Sequence, residues 1–277
     1  MHSPNFLIMD SGVGGLSIWQ EIRRRLPHSH CCYVADNAAY PYGALAESVL
    51  TERLATLLPG LEQSVRPDIV VVACNTASTL VLDRLRTLTS TPIIGVVPAI
   101  KPAAAASRSR HIALLATPGT VTRPYIDRLV AEFAVGCRVT RIGSHELVQA
   151  AEQKLRGDPV DSGVLARVLA PLRSNDSDMD HLVLGCTHFP LLRDEIRTLL
   201  APEIQIIDSG DAIARRAAQL LAASPPPLRA PQPNRFLFTA EHSTPRQLEP
   251  GLHAFGFDRV RFLDTGAPQS GQKSGAS

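Results

Sequence analysis

Residues 70–77 read V-V-V-A-C-N-T-A, and residues 182–189 read L-V-L-G-C-T-H-F. Each stretch is an apolar run of strand character, a small residue, a cysteine, and a threonine at or next to the following position. A fainter echo joins L-I-M-D-S-G-V-G-G (7–15) to I-I-D-S-G-D-A (206–212). The economical explanation is a chain of two related halves, each presenting a thiol at the carboxyl end of a strand.

Outward from these stretches, short apolar runs alternate with amphipathic helical patterns, the signature of βα units and a mostly parallel sheet. Strands are expected at 6–9, 30–35, 69–73, 93–97, 112–116, 138–142, 181–184 and 204–207, with two more at 235–239 and 260–263. Helices are expected at 15–25, 47–61, 77–88, 123–132, 146–156, 162–171, 191–200 and 211–222. Most strands are continuous apolar runs, which suits strands covered on both faces. The Pro- and Ala-rich stretch 98–107 reads as a crossing between domains, and 225–233 as a surface loop. The Gly-, Ser- and Gln-rich residues 267–277 read as a disordered tail.

Composition narrows the function classes. The chain has 277 residues, 44% hydrophobic and 19% charged, with a net charge of +2. That balance argues against nucleic-acid binding, and Arg23-Arg24-Arg25 reads as the solvated end of an early helix. No apolar stretch reaches the roughly 20 residues of a membrane span, and the N-terminus has no signal-peptide pattern, so a cytoplasmic protein is expected. The 5 cysteines form no paired framework and no C-x-x-C, which speaks for free thiols in a reducing compartment and against a structural zinc site. No His/Asp/Glu cluster has metal-ligand spacing. Lysine occurs only at 101, 154 and 273, none at a clear strand end, so a pyridoxal phosphate Schiff base is poorly supported.

In open α/β sheets ligands bind beyond the carboxyl ends of the strands, and five such ends here are polar. They are Asp10-Ser11, Asp36-Asn37, Cys74-Asn75-Thr76, Thr117 with Gly119-Thr120, and Cys186-Thr187-His188. In D-S-G-V-G-G (10–15) the glycines allow backbone N–H groups to approach a carboxylate, although a tight turn capped by Asp10 or Ser11 accounts for them equally well. Pro41-Tyr42-Gly43 offers a rigid loop with an unhindered N–H at Gly43, or a plain turn. A buried cysteine is ordinarily inert. Cys74 and Cys186 differ from Cys31, Cys32 and Cys137 in that hydrogen-bonding residues and then helices follow them, a setting able to lower a thiol pKa. His188, two residues after Cys186, could exchange a proton with it. Two thiols across one crevice suggest inversion at carbon, one removing a proton and the other donating from the opposite face.

The set D-S-G-V-G-G-L-S, D-N-A-A-Y-P-Y-G, A-C-N-T-A-S-T, A-T-P-G-T-V and L-G-C-T-H-F-P-L-L, in this order, resembles the glutamate racemase family from about Phe6 to Ala222. The resemblance implies an α/β fold of two pseudo-symmetric domains, each a mostly parallel sheet flanked by helices, with the active site in the crevice between them. Residues 1–97 plus 209–266 would form the first domain and 98–208 the second. It implies cofactor-independent interconversion of L- and D-glutamate, supplying D-glutamate for peptidoglycan and so for cell-wall biogenesis. Cys74 would take the α-proton from D-glutamate and Cys186 from the L-enantiomer. Asp10 and His188 would stand beside the thiols, and Asp36 and Glu152 match further acidic positions. Asp10, Ser11, Tyr42, Gly43, Asn75, Thr76, Thr187 and His188 match substrate contacts, with Thr117 and Thr120 adjacent. The variants V-P-A-I-K-P and G-S-H-E-L-V-Q-A-A-E-Q-K resemble the proteobacterial branch, which implies UDP-N-acetylmuramoyl-L-alanine as an activator, and family members are commonly dimers. Two rivals stay open on the residues alone: a superfamily member acting on aspartate or a hydantoin, and a carboxylate-binding protein with inert thiols.

Overall fold

The computed structural model describes residues 3–173, 178–241 and 243–263; the expected tail, 267–277, lies outside them. Among the described residues, ten strands and eleven α-helices follow one another in largely βα order. The strands are β1 (Asn5–Asp10), β2 (His30–Ala35), β3 (Ile69–Val72), β4 (Ile93–Gly95), β5 (His111–Ala116), β6 (Arg138–Gly143), β7 (His181–Leu184), β8 (Gln205–Ile207), β9 (Arg235–Phe238) and β10 (Arg259–Phe262). The helices are α1 (Leu16–Arg25), α2 (Glu47–Val65), α3 (Asn75–Arg86), α4 (Ile100–Ala106), α5 (Pro118–Val121), α6 (Pro124–Phe133), α7 (Glu146–Leu155), α8 (Ser162–Leu169), α9 (Arg193–Leu199), α10 (Gly210–Ala223) and α11 (Ser243–Ala254).

Two sheets result, with strand orders β10-β9-β2-β1-β3-β4 and β6-β5-β7-β8. Every strand pair is parallel. The order β2-β1-β3-β4 is repeated by β6-β5-β7-β8, so β3 and β7 hold equivalent places and the cysteine echo is a topological one. The echo of 7–15 in 206–212 is not: β1 corresponds to β5, whereas β8 takes the place of β4.

Both faces of each sheet are covered, which is why the strands read as unbroken apolar runs. Successive side chains alternate between faces. Phe6, Ile8, Tyr33 and Val71 pack on one side of the first sheet with Leu16, Trp19 and Ala214. Leu7, Met9, Val34, Val70 and Val72 pack on the other with Leu54, Leu58 and Val81. Cys31 and Cys32 are buried in these two layers, where desolvation pushes both thiols up.

Several elements depart from the sequence-based expectation, among them the short helix α5, which no expected helix covers. The Pro- and Ala-rich stretch after β4 contains helix α4, because Pro102 falls in the first turn, where its missing N–H costs nothing, and four alanines follow. Helix α11, with Pro250 inside it, joins β9 to β10, and its Leu248 and Leu252 are buried in the first core. Helix α3 begins at Asn75, directly after Cys74 in extended conformation, two residues earlier than the pattern 77–88 suggests.

Candidate active site

The turn after β1 is organised by Asp10. Its carboxylate accepts the N–H of Ser11 at 2.7 Å and of Gly15 at 2.7 Å, which satisfies free donors at the start of α1. Glycine at 14 is required by close approach: a Cβ there would stand 2.4 Å from His188 Nδ1 and 2.6 Å from Thr187 Oγ1. The turn therefore presses on the segment after β7. Ser17 on α1 fixes that contact by donating to the Thr187 carbonyl at 2.7 Å, so the two sheets meet at their carboxyl ends.

A cavity of about 400 Å³ lies at this meeting, a size suited to a small ligand. It is lined by Asp10, Ser11, Tyr42, Gly43, Cys74, Asn75, Thr76, Thr117, Thr120, Cys186, Thr187 and His188. Cys74 follows β3 and Cys186 follows β7, so the equivalent strand ends of the two sheets send one thiol each to the same cavity. Thr120 on α5 is 2.9 Å from Thr117 Oγ1 and 3.4 Å from Thr76 Oγ1 on α3. This row of hydroxyls lies beside the N-terminus of α3, the end of a helix whose dipole favours negative charge. Asn75 is buried on the cavity wall, and its Oδ1 has no hydrogen-bond partner.

Asp36 and Glu152 stand outside the cavity wall. Asp36 is buried behind Tyr42: it accepts the Tyr42 hydroxyl at 3.0 Å, Thr239 Oγ1 at 2.6 Å, and two bonds from Arg53 at 2.6 and 2.5 Å. It sets the position of a lining residue and does not reach the cavity itself. Glu152 on α7 lies 3.4 Å from His188 Nε2. Sequence reasoning missed Tyr40, His145, Val148, Gln149 and Gly185, which also line the cavity. The signal for three of them was present: 145, 148, 149 and 152 share one face of a helix at i, i+3, i+4 and i+7.

The electrostatics differ at the two thiols. Burial, and then the charge of Asp10, push the Cys74 thiol well up, and the N–H groups of Ala77 and Thr76 oppose this only in part. The donors that could lower the thiol at this strand end do not prevail at Cys74, because desolvation outweighs them. Asp10 is itself raised by burial, against the pull of His188 and its two backbone donors. For His188 burial acts downward, yet the hydrogen bonds and charges of Cys186 and Glu152 prevail and raise it from 6.5 to about 10. Its Nδ1 lies 3.8 Å from Cys186 Sγ. An imidazolium thus faces Cys186 at neutral pH.

A consequence for stability follows from this raised value. The contribution of His188 is full below about pH 6.5 and is lost as pH rises through about 10. From about pH 6.5 to about pH 8.5, below the titration of an unfolded-chain thiol, the melting temperature is expected to fall. His188→Asn should flatten that limb in scanning calorimetry.

A crevice between two parallel α/β sheets, with a thiol from each, defines a class. The chain belongs to the Asp/Glu/hydantoin racemase family, a sequence model of which matches residues 15–217. Its relatives within that family include glutamate racemases. One from Klebsiella pneumoniae (strain 342) is 45% identical over 260 residues, 94% of this chain and 92% of that one. Another, from Shewanella loihica, is 51% identical over 222 residues, 80% of this chain and 83% of that one. The fold matches the crystal structure of Escherichia coli glutamate racemase in complex with L-glutamate and the activator UDP-MurNAc-Ala. The TM-score is 0.90 at 43% identity, covering 94% of this chain and 98% of that one. Among the described residues no helix is long and apolar enough to cross a membrane.

Proposed function

We propose that this chain is a glutamate racemase that moves the Cα proton between Cys74 and Cys186 without a cofactor. The carrying observation is the pair of thiols brought to one small cavity from equivalent strand ends, β3 and β7. Cys74 as thiolate takes the α-proton of D-glutamate, leaving a carbanion. Cys186 then delivers its own proton to the opposite face, giving L-glutamate; the reverse direction starts at Cys186.

Each neighbour has a part in this scheme. The resting Cys74 is a thiol, raised by burial and by Asp10; the incoming substrate ammonium supplies the positive charge that favours its thiolate, and the thiol proton leaves to solvent as substrate enters. Asn75, on the cavity wall at the N-terminus of α3, contacts the substrate. The hydroxyls of Thr76, Thr117 and Thr120 at the start of α3 hold one carboxylate. Ser11, Tyr42, Gly43 and Thr187 hold the other. His188, protonated beside Cys186, returns a proton to that sulfur. Asp36 acts through Tyr42, and Glu152 through His188.

Glutamate as substrate is supported by the relatives' activity and by the L-glutamate held in the E. coli structure. The same structure supports UDP-N-acetylmuramoyl-L-alanine as an activator here. The proposed role is supply of D-glutamate to peptidoglycan synthesis in the cytoplasm, by a homodimer or a monomer–dimer equilibrium. The two sheets favour the discontinuous division into 1–97 plus 209–266 and 98–208.

Circular dichroism of each enantiomer of glutamate and of aspartate tests the substrate. Both glutamate signals are expected to decay to zero, faster with the activator, while both aspartate signals persist. Decay of aspartate with glutamate unchanged would overturn the assignment.

A further inference from the structure

We propose that Tyr33 is a positioning residue for the Cys74 half of the reaction, holding the turn that carries Asp10; this rests on the two-thiol reading above. Tyr33 is fully buried on β2, paired with Ile8 of β1. Side chains alternate along a strand, so Ile8, Asp10 and Tyr33 share one face of the sheet. The ring is locked among aromatic neighbours: it stacks on Phe236 with centroids 4.5 Å apart and meets Phe257 edge-on at 6.1 Å. Phe236 lies on β9 and Phe257 follows α11, so the C-terminal part of the chain fixes this ring.

A buried phenol needs a hydrogen-bond partner, and Tyr33 reaches out of the core to the turn after β1. Its hydroxyl donates to the Gly12 carbonyl at 3.0 Å and lies 3.4 Å from Asp10 Oδ2. The same Oδ2 accepts the Gly15 N–H at 2.7 Å. A Cβ at Gly15 would stand 2.7 Å from the Tyr33 hydroxyl and 2.7 Å from the Cβ of Ala73. The turn is thus pinned between the phenol and the residue that precedes Cys74. Burial, and then the charge of Asp10, push the phenol well up, so it keeps the proton it donates.

The physical effect runs through Asp10. Asp10 ends β1, Cys74 follows the neighbouring β3, and the Ala73 N–H between them donates to the Met9 carbonyl at 2.7 Å. Asp10 and Cys74 both border the cavity. A carboxylate fixed there keeps the Cys74 thiolate strongly basic once substrate has entered. Without the Tyr33 hydroxyl the Gly12 carbonyl loses its donor, the turn relaxes, and the carboxylate shifts relative to Cys74.

Tyr33→Phe keeps the ring and its aromatic contacts and removes only the hydroxyl. It is expected to lower kcat about tenfold in both directions, the upper end of what one buried hydrogen bond is worth, with KM unchanged. A double-mutant cycle with Asp10→Asn reads the route. Acting through Asp10, the loss of the Tyr33 hydroxyl should change kcat by less than about twofold in the Asp10→Asn background, far from additive. The same loss in both backgrounds would make Tyr33 a structural residue alone and overturn the proposal. A Tyr33→Phe protein with wild-type kcat would overturn it as well, and both results leave the racemase reading intact. A wild-type protein that fails to racemise glutamate would overturn both.

Discussion

Alanine at Cys74 or at Cys186 is expected to slow glutamate racemisation by about 10³-fold, within the range one positioned acid or base contributes. Inversion needs a proton-transfer group on each face of Cα, so loss of either thiol stops the same net reaction. The two single variants should therefore be about equally impaired and the double variant little worse, since the pair acts as one unit. The fold should survive. Both sulfurs border the cavity, and removing one at a cavity wall costs about 1 kcal/mol. Racemisation rates and urea unfolding of the three variants check both halves of this expectation. A single variant with wild-type turnover would sink the two-thiol mechanism.

Asp36→Ala should produce the largest loss of stability, about 3 kcal/mol. The Asp36 carboxylate is buried and accepts four hydrogen bonds, two from Arg53 and one each from Tyr42 and Thr239. Breaking a buried ion pair by removing one partner costs about 3–5 kcal/mol. Arg53 is 30% exposed and can rehydrate, which places the expectation at the lower end. The Tyr42 hydroxyl is left with no acceptor at all, so KM for glutamate should rise together with the fall in stability. Asp36→Asn keeps an acceptor without the charge and should fall between the two. The urea midpoint and KM of both variants report it, and an Asp36→Ala protein as stable as wild type would refute the role given to this network.

Much of this molecule is legible in its residues, for reasons that can be named. Strands covered on both faces become unbroken apolar runs, so each of the ten strands overlaps an expected one. The cysteine echo marks equivalent strand ends because β3 and β7 share a place in repeated topology. Helix α4 was hidden because Pro98 and Pro102 read as punctuation, although a proline in a first turn is harmless. Helix α11 was hidden by Pro250 in the same way. Tyr40, His145, Val148 and Gln149 became cavity wall only through packing: spacing gives a helical face, and nothing local says what that face meets. The resting state of Cys74 is not legible in the sequence for a related reason. Its donors are visible in sequence, whereas the burial that outweighs them belongs to the folded crevice.

The central claim is proton exchange at Cα by two thiols, and exchange in D₂O measures it directly. Incubated with wild-type protein, either enantiomer of glutamate should lose its Cα proton signal in the proton NMR spectrum as deuterium enters and the sample racemises. The Cys74→Ala and Cys186→Ala proteins should leave both enantiomers unracemised. Saturable glutamate binding by the wild type with the Cα signal intact would contradict the account and leave Cys74 and Cys186 as inert thiols in a carboxylate-binding cleft.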